Sequence, residues 1–151
     1  MEAGTQLTDS KEEKPHVTHP YQEIIGSLMY TVMATKPDIA FAPHILTQFT
    51  QAPTRAHWEA AKLMVWYLKT TCNLELTYHT SEVNIVGYID ADHASQLHWH
   101  SISRYIFHIG VGAVMWSSKK QLIVTLSTTE AEYIMAAHVT KEAMWLCALT
   151  A

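Results

Sequence analysis

At 151 residues with 48% hydrophobic and 16% charged positions, the chain is long enough to bury a core. A net charge of −4 excludes a free-standing basic nucleic-acid binder, so any contact with nucleic acid calls for a partner domain to supply positive field. Runs such as 39–45 and 131–137 are broken by Pro, His or Glu far short of the roughly 20 apolar residues a bilayer span needs, and the start is neither basic nor apolar. The chain is therefore expected to be intracellular, cytoplasmic or nuclear, not secreted and not in a membrane.

Residues 1–20 mix Thr, Lys, Glu, Asp, His and Pro with almost no large apolar side chain, so a flexible lead-in is expected. From Tyr21 to about residue 71 the pattern is helical. Ile24, Leu28, Thr31 and Val32 share one face of a first helix, and Pro37-Asp38 opens a second, which Pro43 should kink or end early. Thr54 is placed to cap a third helix ending near Lys69, with Trp58, Ala61, Val65 and Leu68 as its apolar face.

From residue 72 to 151 the period drops to two. Strands are expected over 74–78, 83–90, 103–109, 113–117 and 121–126, with Gly110-Val111-Gly112 as a turn. Ser127 and Thr128 then cap a last helix whose buried face would be Tyr133, Ala137, Thr140, Met144 and Cys147. Helices, then an antiparallel meander, then a helix covering one sheet face make the class α+β.

The chemistry-bearing residues are acidic. Asp90 and Asp92 end a strand two residues apart and so point to the same face. Such like charges repel unless a cation lies between them, and Mg²⁺ suits an oxygen-rich pair, but Asp also marks strands giving way to turns. Glu130 and Glu132 begin the last helix, where the dipole and capping favour carboxylates whatever the function. With Asp90 they can converge on one cation across the intervening strands. His93, His98 and His100 lie close together but lack a common zinc spacing and read as a surface loop. Cys72 and Cys147 read as buried free thiols, and Trp58, Trp66, Trp116 and Trp145 as packing residues. Lys119-Lys120 at a hairpin is a solvated turn or a phosphate contact.

Several blocks resemble a known family. Tyr21-Gln22-Glu23-Ile24-Ile25-Gly26-Ser27-Leu28-Met29-Tyr30, Ala34-Thr35-Lys36-Pro37-Asp38-Ile39-Ala40, His57-Trp58-Glu59-Ala60-Ala61-Lys62 and Tyr67-Leu68-Lys69-Thr70-Thr71 resemble the segment after the reverse transcriptase of copia-type, Pseudoviridae-like LTR retrotransposon Pol polyproteins. Gly87-Tyr88-Ile89-Asp90-Ala91-Asp92, Trp116-Ser117-Ser118-Lys119-Lys120-Gln121, Leu126-Ser127-Thr128-Thr129-Glu130-Ala131-Glu132-Tyr133 and Glu142-Ala143-Met144-Trp145-Leu146 resemble their ribonuclease H.

The resemblance implies a ribonuclease H-like fold and an enzyme that cuts the RNA strand of an RNA–DNA hybrid, with four acidic residues holding two Mg²⁺ ions. Asp90 and Glu130 fall on two of the family's catalytic, metal-holding positions. Asp92 and Glu132 are of second rank, and Lys119 and Lys120 become nucleic-acid contacts. The remaining two aspartates are expected beyond Ala151, so the site is expected to be incomplete, with at most weak Mg²⁺ binding, and the chain inactive. The family pattern is also broken at Ser95, Gln96 and Arg104, where it has Gly, Asp and Gly, and at Pro43. Such changes read as drift in a copy released from its original activity. The alternative is a domesticated, noncatalytic protein-interaction module that docks a partner or self-associates through an open sheet edge.

Overall fold

The computed structural model describes residues 20–79, 84–92 and 100–150, which fall into two compact units dividing after Glu75. The expected lead-in over residues 1–19 and the positions of Val83, His93 and His98 lie outside the described residues.

The first unit is helical: α1 (Tyr21–Thr35), a single 3₁₀ turn (Pro37–Ile39), α2 (Phe41–Thr47) and α3 (Arg55–Thr70). Its core joins Tyr21, Ile25 and Leu28 of α1 to Leu46 of α2 and to Ala60, Ala61 and Met64 of α3. The buried line on α1 is Tyr21, Ile25, Leu28 and Val32, one residue round from the face expected through Ile24 and Thr31. The helix that Pro37 opens does end early, at Ile39, and Pro43 itself falls inside a new helix. A continuous helix from Pro37 would need a bond from residue 43 to the Ile39 carbonyl, which proline cannot make. The chain therefore breaks at Ala40 and restarts, which puts Pro43 in the first turn of α2, where an N–H has no intrahelical partner anyway.

Thr54 caps α3 as expected, but its partner turns the helix. The Thr54 backbone N–H donates to His57 Nδ1 at 3.0 Å, the Thr54 hydroxyl lies 2.9 Å from the same nitrogen, and the Phe49 ring stacks on the imidazole at 4.0 Å. This capping box, with His in the place usually held by Glu or Gln, draws His57 into the interior. Val65 and Trp66 are left exposed, against the expectation. Beyond the end of α3, Lys36 Nζ donates to the Thr71 and Leu74 carbonyls at 2.8 and 2.9 Å, a cation where the helix dipole is negative.

The second unit is a three-stranded antiparallel sheet in the order β1 (Ile85–Asp92), β2 (Ile102–Ile109), β3 (Gly112–Lys120), followed by α4 (Thr128–Thr150). The α+β class is as expected. Gly110, at φ 61°, makes the β2–β3 turn in a conformation that side chains disfavour. Gly87 pairs with Phe107, and a Cβ there would lie 2.6 Å from the Phe107 ring, so the absent side chain is what seats that ring. Phe107 then packs with Met135, Val139 and Leu146 of α4, and Ile85, Ala91, Tyr105 and Ile109 close around them.

Two expected strands are irregular connections instead. Tyr78 attaches to β3 through its side chain, its hydroxyl donating to the Ala113 carbonyl at 2.6 Å, so residues 74–78 form no ladder. Residues 121–126 are likewise tied down by side chains: Gln121 Nε2 donates to Ser103 Oγ at 2.8 Å and to the Ala131 carbonyl at 3.0 Å, and Ser101 and Thr125 share a hydroxyl–hydroxyl bond of 2.8 Å. The face of α4 is also corrected. Ala131, Met135, Val139 and Leu146 are buried, while Tyr133, Ala137, Thr140, Met144 and Cys147 face solvent. Apolar residues surround this helix, so periodicity could not single out the side that meets the sheet. Cys72 and Cys147 are both exposed, as are Trp66 and Trp145, while Trp58 and Trp116 are half-buried. Among the described residues no helix is long and apolar enough to cross a membrane.

Two outcomes follow from these cores. Tyr21 donates to the Leu46 carbonyl at 3.0 Å, and burial pushes its hydroxyl from 10.0 up to about 12. Because the fold holds this phenol protonated, its contribution is intact below about pH 10 and is lost as pH rises toward about 12. Tyr21→Phe should flatten that alkaline decline and cost about 1 kcal/mol at neutral pH, measured by urea denaturation across the same window. In the second unit, Met135 is 1% exposed and Tyr133 77%. Met135→Ala should cost about 2–5 kcal/mol in thermal or urea melts, whereas Tyr133→Ala should stay within about 0.5 kcal/mol.

Candidate functional site

Strand pairing decides the surroundings of the acidic pair. In the β1–β2 register Asp90 lies directly opposite Arg104, and Asp92 opposite Ile102, so Arg104 reaches one aspartate across the ladder and the other along the diagonal. Its Nη1 donates to Asp90 Oδ2 and its Nη2 to Asp92 Oδ2, each at 3.0 Å. The side chains are 34% exposed for Arg104, 63% for Asp90 and 40% for Asp92, so the fork is open to water on one side. The cation that the two carboxylates require is thus one of the chain's own residues.

At the start of α4, Glu130 is used in a cap. Its backbone N–H donates to Ser127 Oγ at 3.1 Å, confirming Ser127 as the capping residue, and its Oε2 accepts from the Leu126 backbone N–H at 2.8 Å. Glu132 lies two residues further along α4. Together with Thr129, Tyr133, Met135 and Ala136 it lines an open cleft against Ile89, Asp90 and Ala91 of β1. Asp90 and Glu132 thus both line this cleft, while Glu130 is not among its lining residues.

Lys119 and Lys120 end β3, the opposite edge strand, and are not at a hairpin turn. They line a separate crevice of about 390 Å³ with Tyr105, Ser117, Ile134 and His138. Burial raises the Tyr105 hydroxyl above the ordinary phenol range there, Glu142 adds to the effect, and a hydrogen bond with Ser117 opposes it. Two strand spacings, roughly 10 Å, separate the lysine strand from the aspartate strand. His100 turns to the backbone, its Nδ1 lying 2.9 Å from the Gln121 carbonyl.

These acids do not fit a pair of Mg²⁺ ions. One oxygen each of Asp90 and Asp92 is taken by Arg104, Glu130 serves the helix cap, and among the described residues no three His, Cys, Asp or Glu side chains stand close enough to share a metal. The sequence marked Arg104 only as a departure from the family's glycine and not as the partner of the two aspartates. Its signal was present as an arginine on the strand expected next to the aspartates, but a connection of nine residues between β1 and β2 leaves the register free until the strands pair.

Comparison with known proteins places the chain. It is 42% identical over 137 residues to the retrovirus-related Pol polyprotein from transposon TNT 1-94 of Nicotiana tabacum, and 38% identical over 149 residues to that from transposon RE1 of Arabidopsis thaliana. The match takes in 89% and 97% of this chain but 10% of each polyprotein, so the chain spans about a tenth of the length of these relatives. It is also 40% identical over 133 residues to the secreted RxLR effector protein 161 of Plasmopara viticola, covering 87% of this chain and 94% of that protein. No protein-family profile and no solved structure matches it. With the same stretch recurring inside transposon polyproteins and filling nearly all of a protein of its own size, the chain belongs to the family of Pol-derived segments of copia-type retrotransposons.

Proposed function

We propose that Leu76–Ala151 is the strand-and-helix part of a ribonuclease H-like domain, related to the Pol activity that degrades the RNA strand of RNA–DNA hybrids, and that this chain does not itself cleave them. The observation that supports the reading is the three-stranded antiparallel meander followed by α4, with Asp90 near the end of β1 and Glu130 and Glu132 in the first turns of α4, Asp90 and Glu132 both lining one cleft. Acids near a strand end and at a helix start are what that chemistry uses to gather cations around a scissile phosphate. In the parent enzymes two Mg²⁺ ions would activate a water and stabilise the leaving oxygen. Under this reading the acids that would hold them are engaged by Arg104 and by the α4 cap, and the metal-holding function has been lost. Lys119 and Lys120, on the far edge strand, suit a backbone phosphate of a bound hybrid but stand apart from the acids.

A second reading is favoured by the sheet edge and by the effector from Plasmopara viticola, a relative that has almost this chain's length outside any polyprotein. β1 is an edge strand, and Val86, Tyr88 and Ile89 on it are exposed. An apolar open edge is a template for pairing with a second copy or a partner strand, which suits a noncatalytic interaction module. Under this reading the chain should elute as a defined dimer at micromolar concentration in size-exclusion chromatography with light scattering; a clean monomer removes the case for self-association.

For the first reading, the purified chain should leave a labelled RNA–DNA hybrid intact above background in Mg²⁺ or Mn²⁺, and Asp90→Asn should change nothing. Cleavage that disappears in Asp90→Asn would reverse the conclusion that the chain is inactive.

A further inference from the structure

We propose that Arg104 is the resident counter-cation of the Asp90–Asp92 pair and that its guanidinium excludes divalent metal ions from this end of β1. The inference leans on the ribonuclease H-like reading only for the idea that the pair once held a metal. Its physical case rests on the strand pairing alone.

Three features of the geometry carry it. The guanidinium is planar and permanently charged, and two of its nitrogens meet two different carboxylates at 3.0 Å each, so a single residue neutralises part of both charges at once. Arg104 is delivered by the β1–β2 register, directly opposite Asp90, so it is present at every moment the sheet is formed and dilution cannot remove it. A divalent ion, in contrast, must shed part of its hydration and find near-octahedral oxygen ligands. At this position it would meet carboxylates whose Oδ2 atoms are already donated to, and a fixed positive charge beside them. Glu132, the other acid lining the cleft with Asp90, adds at most one more oxygen group. Without the guanidinium the balance reverses, because two aspartates on one strand face leave negative charge that only a cation from solution can offset.

The competing account is that this is an ordinary exposed ion pair, which a divalent ion would displace with little resistance, since such pairs contribute little when both partners are wetted. The two accounts differ in binding, which is measurable without any cleavage assay. In the full chain, the Arg104 Nε–H resonance should respond to MgCl₂ no more than to NaCl of equal ionic strength. Mn²⁺ should cause no saturable broadening of the amides of Asp90–Asp92 or of the first turn of α4. In Arg104→Gln, checked for a native-like amide spectrum, Mn²⁺ should broaden those amides saturably, with affinity raised on the order of tenfold or more, and adding Asp90→Asn should abolish the effect.

A saturable, Mg²⁺-specific shift of the wild-type Arg104 signal would overturn the proposal, because the metal would then be displacing the guanidinium. So would an Arg104→Gln variant that folds but gains no Mn²⁺ binding, because something other than Arg104 would then be keeping metal out. Should Arg104→Gln fail to fold, the wild-type Arg104 resonance decides the question by itself. Neither result depends on whether the chain cleaves hybrids, so failure of the inference and failure of the ribonuclease H-like reading are told apart.

Discussion

Two carboxylates on one face of a strand end repel unless a positive charge sits between them, and the second unit is arranged around the way this chain meets that demand. Arg104 comes from β2, the central strand, which among the described residues is the one paired on both sides. Because side chains alternate along a strand, the pairing that presents Arg104 to Asp90 and Asp92 on one face also presents Tyr105, Phe107 and Ile109 to α4 on the other. A slip of one residue would strip the aspartates of their cation and turn Phe107 away from Met135 and the ring space left by Gly87 in the same step. The charge pair is individually weak, being partly exposed, and the apolar face supplies most of the stabilisation. What the fork adds is a second reason for the same register.

The helical unit follows a different logic, in which polar side chains set the rotation of apolar faces. The Tyr21 hydroxyl bonding the Leu46 carbonyl holds α1 to α2, and His57 bonding back to Thr54 turns α3 so that Ala60, Ala61 and Met64 meet that core. Buried groups of this kind are tolerated only when their hydrogen bonds are met. The Tyr21 hydroxyl is met by backbone and His57 Nδ1 by the cap, and that is why a histidine and a tyrosine occupy positions that a simple apolar pattern would assign to aliphatic residues.

The same segment inside transposon polyproteins and as nearly the whole of an effector protein shows that a stretch of this length is used in two contexts. A metal site makes strict demands on every ligand, whereas a packed sheet and helix demand only matched faces. Arg104 in the fork and Glu130 in the cap satisfy the second kind of demand, and both are compatible with a unit kept, or carried along, for its shape. Exposed Val86, Tyr88 and Ile89 on an edge strand add a surface that such a unit could use.

Local signals determined much of this protein by sequence alone. The change of period near residue 72 marked helices giving way to strands, Thr54 and Ser127 announced the starts of α3 and α4, Gly110 announced the β2–β3 turn, and the spacing of Asp90 and Asp92 put both on one face. These features depend on a residue and its near neighbours, so the chain's own chemistry is enough. Tertiary structure decided the rest. It chose the face of α4, because apolar residues ring that helix and only contact with Phe107 selects Met135 over Tyr133. It put Glu132 and not Glu130 among the residues lining a cleft with Asp90, because the Glu130 carboxylate turns back to accept from the Leu126 backbone N–H. It left residues 121–126 without a ladder, because Gln121 and Thr125 bond through side chains to distant partners. Above all it identified the cation: sequence spacing could demand a positive charge between two aspartates, but only the pairing of β1 with β2 could supply it from Arg104, fourteen residues from Asp90 along the chain.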